Sequence, residues 1–163
     1  MGFLSRVFGS KSSFEEVQHI PVVPEEKFAV VEGRLIDGRP FVGSLNLAYK
    51  DYRLKSRYPW FLKVAIGLDE QNCTENGLPH PDESNLANRM EDRLVEKIQS
   101  LTTAHYLGHI FSDSFLDVYL HLDDPEPAHQ YLQKLIVDED HERGFGYEIK
   151  VDASWSVLNQ WID

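Results

Sequence analysis

A chain of 163 residues with 42% hydrophobic and 12% aromatic side chains can bury one full core, which excludes global disorder. Its 27 acidic against 16 basic residues leave a formal net charge of −11, which disfavours nucleic acid and either suits a basic protein partner or serves solubility alone. No apolar run approaches the ~20 residues needed to span a membrane, and Cys73, the sole cysteine, excludes an intrachain disulfide and suits a reducing cytoplasm.

In chain order, residues 1–26 read as an apolar segment and linker, and residues 27–163 as one α+β domain. MGFLSRVFGS lacks the hydrophobic run and cleavage site of a secretory signal, and Arg6 breaks the myristoylation pattern after Gly2. Phe3, Leu4, Val7 and Phe8 are expected to form an apolar turn or two that docks on the domain, with a weak membrane or partner anchor as the alternative. Pro21 and Pro24 close the linker.

Phe28–Ile36 reads as the first strand, Asp37-Gly38 as a tight hairpin turn and Pro40–Ala48 as the returning strand. Tyr49–Tyr58 is basic and aromatic, with Lys50, Arg53, Lys55 and Arg57. It is expected to be a short helix or an irregular crossing. Stacking of this segment on single-stranded nucleic acid is opposed by the overall charge. Trp60–Asp69 alternates as a strand. A long helix follows at Asp82–Leu101, opened by Pro81 with Asp82 as the capping oxygen. Its apolar stripe is Leu86, Met90, Leu94, Ile98 and Leu101, opposite a charged face of Glu83, Arg89, Asp92, Arg93, Glu96 and Lys97.

Ala104–Phe111 and Phe115–Leu122 are strands joined by a three-residue turn, Ser112–Ser114. A second helix opens after Asp123-Asp124-Pro125 with the stripe Ala128, Tyr131, Leu132, Leu135 and Ile136. A charged break at Asp138–Arg143 leads to a last strand, Tyr147–Val151. A helical tail with Trp155, Leu158, Trp161 and Ile162 then folds back. From Trp60 the order is βαββαβ, which predicts a ferredoxin-like sheet with both helices on one face. The N-terminal β-hairpin either extends that sheet or covers its other face.

Several residues in this order resemble a known bacterial family: Asp37-Gly38-Arg39-Pro40, Gly77-Leu78-Pro79 followed by Glu83 and Leu86, Glu91-Asp92-Arg93-Leu94, Gly108, Tyr119, and Asp152 with Trp155. The chain resembles the domain of unknown function 695 family from about Phe28 to Trp161. It departs from the family at the end, where Leu158 and Trp161 replace a tyrosine-containing segment. The resemblance implies a ferredoxin-like fold and no established activity. The layout is similar to that of the protein regulator of ribonuclease E activity, which works by binding its enzyme. Small acidic bacterial proteins of this kind also look like immunity proteins.

Two constellations carry chemistry. With a three-residue turn, His109 faces Asp117 and His105 faces His121, on the sheet face away from Leu116, Val118, Leu120 and Leu122. Three imidazoles and a carboxylate suit zinc. A polar face, or histidines packed under the hairpin, fits the same pattern, and a two-residue turn would scatter the set. The acidic groups at the helix ends, Asp123, Asp124 and Glu126, then Asp138, Glu139 and Asp140, are the candidate partner-binding residues. No Walker loop, G-x-G-x-x-G, G-x-S-x-G or H-E-x-x-H occurs, and Cys73 has no neighbouring histidine. The expected function is therefore a non-catalytic, cofactor-free acidic inhibitor or immunity protein that neutralises a basic protein such as a bacterial toxin. The alternatives are a metal-binding protein or hydrolase using the histidine face, and a domain that self-associates through the hairpin edge.

Overall fold

The computed structural model describes residues 22–162. The expected docking of Phe3, Leu4, Val7 and Phe8 lies outside them. Six strands, β1 (Phe28–Arg34), β2 (Pro40–Asn46), β3 (Trp60–Gly67), β4 (Ala104–Ser112), β5 (Phe115–Leu122) and β6 (Phe145–Val151), form one antiparallel sheet. Their order is β1-β2-β4-β5-β3-β6. Helices α1 (Pro81–Leu101) and α2 (Glu126–Asp138) are the two crossovers, β3 to β4 and β5 to β6, and α3 (Ser156–Ile162) ends the described chain. The fold is thus α+β, and the hairpin extends the sheet beside β4. Among the described residues no helix is long and apolar enough to cross a membrane.

Alternation along the strands sorts side chains into two cores. On one face Leu62, Val64 and Ile66 of β3 and Leu116, Val118, Leu120 and Leu122 of β5 pack under Ala87, Met90, Leu94, Val95 and Ile98 of α1 and Ala128 and Leu132 of α2. The buried stripe of α1 therefore differs from the expected one. Leu101 is exposed and Leu86 half-buried, while Glu83 and Glu91 are buried. Glu83, expected on the charged outer face, is inside because Arg143 neutralises it. The helix starts without a side-chain cap: His80 is its boundary residue, and Asp82 lies exposed in the first turn.

On the other face Leu45, Phe61, Leu107, Ile110 and Tyr119 of the sheet are covered by Tyr49, Tyr52 and Tyr58 from the β2–β3 connection and by Trp155 and Leu158 from the tail. That connection is irregular apart from two short 3₁₀ turns, Leu47–Tyr49 and Lys55–Arg57.

Two local features overturn the expected register of β4 and β5. The turn between them has two residues, Asp113 and Ser114, both with positive φ, so Ser112 pairs with Phe115 and His109 with Val118. A bulge between Tyr106 and Gly108 then restores the facing of His105 and His121. Gly108 has φ +129°, and a Cβ there would lie 2.0 Å from the Ser44 carbonyl oxygen, so only glycine fits. The bulge also switches side-chain parity, which is why His105 and His109, four apart in one strand, point to opposite faces.

Candidate functional site

The expected metal set is split by that bulge. His105 and His121 face each other under the tyrosines, Asp117 sits opposite Ile110 on the same face, and His109 lies on the helix side. Among the described residues no group of three or more His, Cys, Asp or Glu side chains is placed to hold a metal ion. His105 and His121 are instead core residues, 1% and 0% exposed. Nδ1 of His105 lies 3.0 Å from the Tyr49 hydroxyl, and Nδ1–H of His121 donates to the Tyr58 carbonyl at 2.9 Å. The Trp155 indole stacks flat on His121, centroids 4.1 Å apart, and its own N–H donates to the Lys55 and Tyr58 carbonyls. Burial pushes both imidazoles down to about 4, so both are neutral near pH 7.

His109 has a different role. Its Nδ1 lies 2.7 Å from Oε2 of Glu91, and the Tyr106 hydroxyl donates to Oε1 of the same carboxylate. Glu91 follows Ala87 by four residues and precedes Val95 by four. The signal that could have found it was therefore its place in the buried periodicity rather than its charge. This is an imidazole oriented by a carboxylate, the partner pattern of a general base. Ser44 stands opposite His109 in β2, yet no hydrogen bond among the described residues joins them. The pair therefore lacks a bonded nucleophile.

The six acidic candidates are all exposed but do not form one patch. They lie at the two ends of α2, whose 13 residues span about 20 Å. At the start, Asp123 accepts from the Thr102 hydroxyl, Asp124 from the Glu126 N–H, and Glu126 from Gln130. At the end, Asp138 pairs with Lys134 at 2.7 Å. Glu139 adopts the left-handed conformation that closes the helix, and the Asp140 N–H returns to the Leu135 carbonyl. The carboxylates of Glu139 and Asp140 make no hydrogen bond or ion pair with a described residue.

These two residues rim a groove of about 590 Å³ between α1 and α2, floored by Met90, Leu94, Tyr131 and Leu135. Glu142 completes the rim and is bonded by Arg93. The rim is anchored from below. Arg143 donates from Nε and Nη2 to the two oxygens of Glu83, each at 2.7 Å, and Glu83 also accepts from the Asp69 N–H. Arg143 holds the Glu83 carboxyl down to about 2. The staple binds the α2–β6 connection to the start of α1. Glu83 belongs to the expected charged face and Arg143 to the expected charged break, and the 60-residue separation leaves no local signal of the pair. The groove can receive an apolar stem with a cationic head.

Comparison with known proteins gives one family. The model of the Family of unknown function (DUF695) matches residues 32–162. No curated protein and no solved structure matches the chain.

Proposed function

The chain belongs to the DUF695 family, and from its own surface we propose that it is a non-catalytic binding module for a basic protein segment, received in the groove between α1 and α2. The carrying observation is the pairing of the apolar side chains of Tyr131 and Leu135 with two rim carboxylates, Glu139 and Asp140, that make no close ion pair with a described residue, Arg93 and Lys134 acting on Asp140 only from a distance. A lysine or arginine of the partner pairs with these carboxylates while its alkyl stem covers Tyr131 and Leu135, the half-buried apolar residues of the groove. The net charge of −11 steers the encounter. In its sharper form the module is an immunity-type inhibitor that occludes a basic toxin in a reducing cytoplasm. Cys73 as the sole cysteine is consistent with that compartment.

The same reading takes β3–α1–β4–β5–α2–β6 as a ferredoxin-like core, with β1 and β2 as its extension. The strand order β4-β5-β3-β6 supports this.

Capture from the lysate of the source organism, followed by titration of the isolated partner, tests the proposal. The expected result is one stoichiometric basic protein whose affinity falls as salt rises from low to high. An affinity that ignores salt, or a partner without a basic surface, contradicts it.

A further inference from the structure

Glu142 and Arg143, adjacent in the connection between α2 and β6, are tied to α1 by two ion pairs of opposite character. Arg143 meets Glu83 as a fork, Nε on one oxygen and Nη2 on the other, with side chains 23% and 1% exposed. Glu142 meets Arg93 at the groove mouth. There a single nitrogen, Nη2, serves both carboxylate oxygens, and the side chains of Arg93 and Glu142 are 58% and 44% exposed. The sheltered pair holds the connection in place. The exposed pair adds little to stability, because water screens it and two long side chains must be ordered. It opens without releasing the connection.

The mouth therefore already holds a guanidinium, and that guanidinium belongs to the chain itself. Glu142 chiefly, with Tyr131 and Asp140 behind it, favours the charged form of Arg93. Bonding through one nitrogen leaves the two-donor fork unused. An arginine arriving from solvent can present two parallel donors to Glu142, which a lysine ammonium cannot.

We propose that Arg93 is an internal competitor for an arginine of the partner. The partner guanidinium, seated against Glu139 and Asp140, takes Glu142 as a third carboxylate, and Arg93 turns out to solvent. This exchange rests on the α1–α2 groove as the binding site. Until it occurs, the charge on Arg93 repels the incoming cation. Arg89, one turn earlier on α1, acts on Glu142 only from a distance.

The probe is N-acetyl-arginine amide, titrated into the ¹⁵N-labelled full chain while the backbone amide shifts of Glu139–Glu142 are followed. Circular dichroism verifies that each variant is folded. R93Q should bind the probe about threefold or more tighter than the wild type, while R89Q, with the same change in net charge, should stay within about twofold. The gain should vanish in R93Q/E142Q, because it comes from freeing Glu142. N-acetyl-lysine amide should bind the wild type more weakly than the arginine probe. Equal or weaker binding by R93Q overturns the exchange and makes Arg93 a plain part of the groove wall. A gain that persists in R93Q/E142Q, an equal gain in R89Q, or a lysine probe that binds as tightly as the arginine probe overturns it as well. Amide shifts that stay unmoved in both the wild type and R93Q overturn the groove as the binding site, and the exchange with it.

Discussion

The two faces of the sheet solve the problem of covering it in different ways. The helix side is mainly aliphatic, with Leu62, Val64, Ile66, Leu116, Val118, Leu120 and Leu122 meeting regular stripes on α1 and α2. The opposite side is aromatic and polar: three tyrosines, two histidines and Trp155, with His121 and Trp155 donating to backbone carbonyls and His105 bonded to the Tyr49 hydroxyl, all covered largely by irregular chain. Periodic elements bury mostly methyl groups, and the few polar groups they take inside, Glu83 and Glu91, are paired with Arg143 and with Tyr106 and His109. An irregular cover has backbone carbonyls to spend, and those of Lys55 and Tyr58 are taken up by Trp155 and His121. The aromatic face should therefore hold the larger single-residue effects and the pH sensitivity between about 6.5 and about 4.

Three experiments would break or sharpen that contrast. The largest effect is expected at Trp155→Ala, which removes the stack on His121 and the N–H bonds to Lys55 and Tyr58 and leaves a buried void. Chemical denaturation should show a loss of about 4–5 kcal/mol. The counterpart on the aliphatic face, Leu94→Ala, should cost about 2–4 kcal/mol, because only packing is lost. Equal costs, or a larger one at Leu94, would erase the distinction.

The second experiment is titration. His105 and His121 bind a proton at about 4 when folded and at about 6.5 when unfolded, so the unfolded chain takes up more protons between those values. Stability should fall as pH drops from about 6.5 to about 4, by up to about 3 kcal/mol per histidine, then level off. Glu83 behaves in the other window. Its carboxyl is depressed from 4.5 to about 2 by Arg143, so its contribution is present above 4.5 and lost as pH falls toward 2. Denaturation midpoints measured from pH 8 to 3 should thus show the histidine step first, and His121→Gln should reduce that step alone. A flat profile between pH 6.5 and 4 would contradict neutral core histidines.

The third experiment addresses the bulge on which the faces depend. Gly108→Ala should cost about 2 kcal/mol or more, since φ is positive and the new Cβ meets the Ser44 carbonyl. A neutral result in thermal unfolding would mean that the bulge relaxes freely.

Much of this architecture was legible in the sequence because it rests on periodicity. The alternation of Trp60–Leu68 and Phe115–Leu122 and the fourfold spacing of Met90, Leu94 and Ile98 mark three elements that the structure contains. The site was less legible because it depends on exceptions to periodicity. A single extra residue near Gly108 sends His105 and His109 to opposite faces, and no local pattern marks a bulge as distinct from a strand glycine. Glu83 and Glu91 carry charges that argue for solvent. They are buried because Arg143 is nearby in one case and Tyr106 and His109 in the other. The exposure of Asp138, Glu139 and Asp140 was readable, but the groove beside them arises from the packing of α1 against α2.

The most direct test of the binding proposal compares two charge reversals at opposite ends of α2, E139K/D140K and D123K/D124K, in titrations against the captured basic partner. The account predicts that E139K/D140K lowers affinity at least about tenfold while leaving stability within about 0.5 kcal/mol, and that D123K/D124K changes affinity little. Equal losses from the two variants, or a loss only from D123K/D124K, would contradict the groove between α1 and α2 as the binding site.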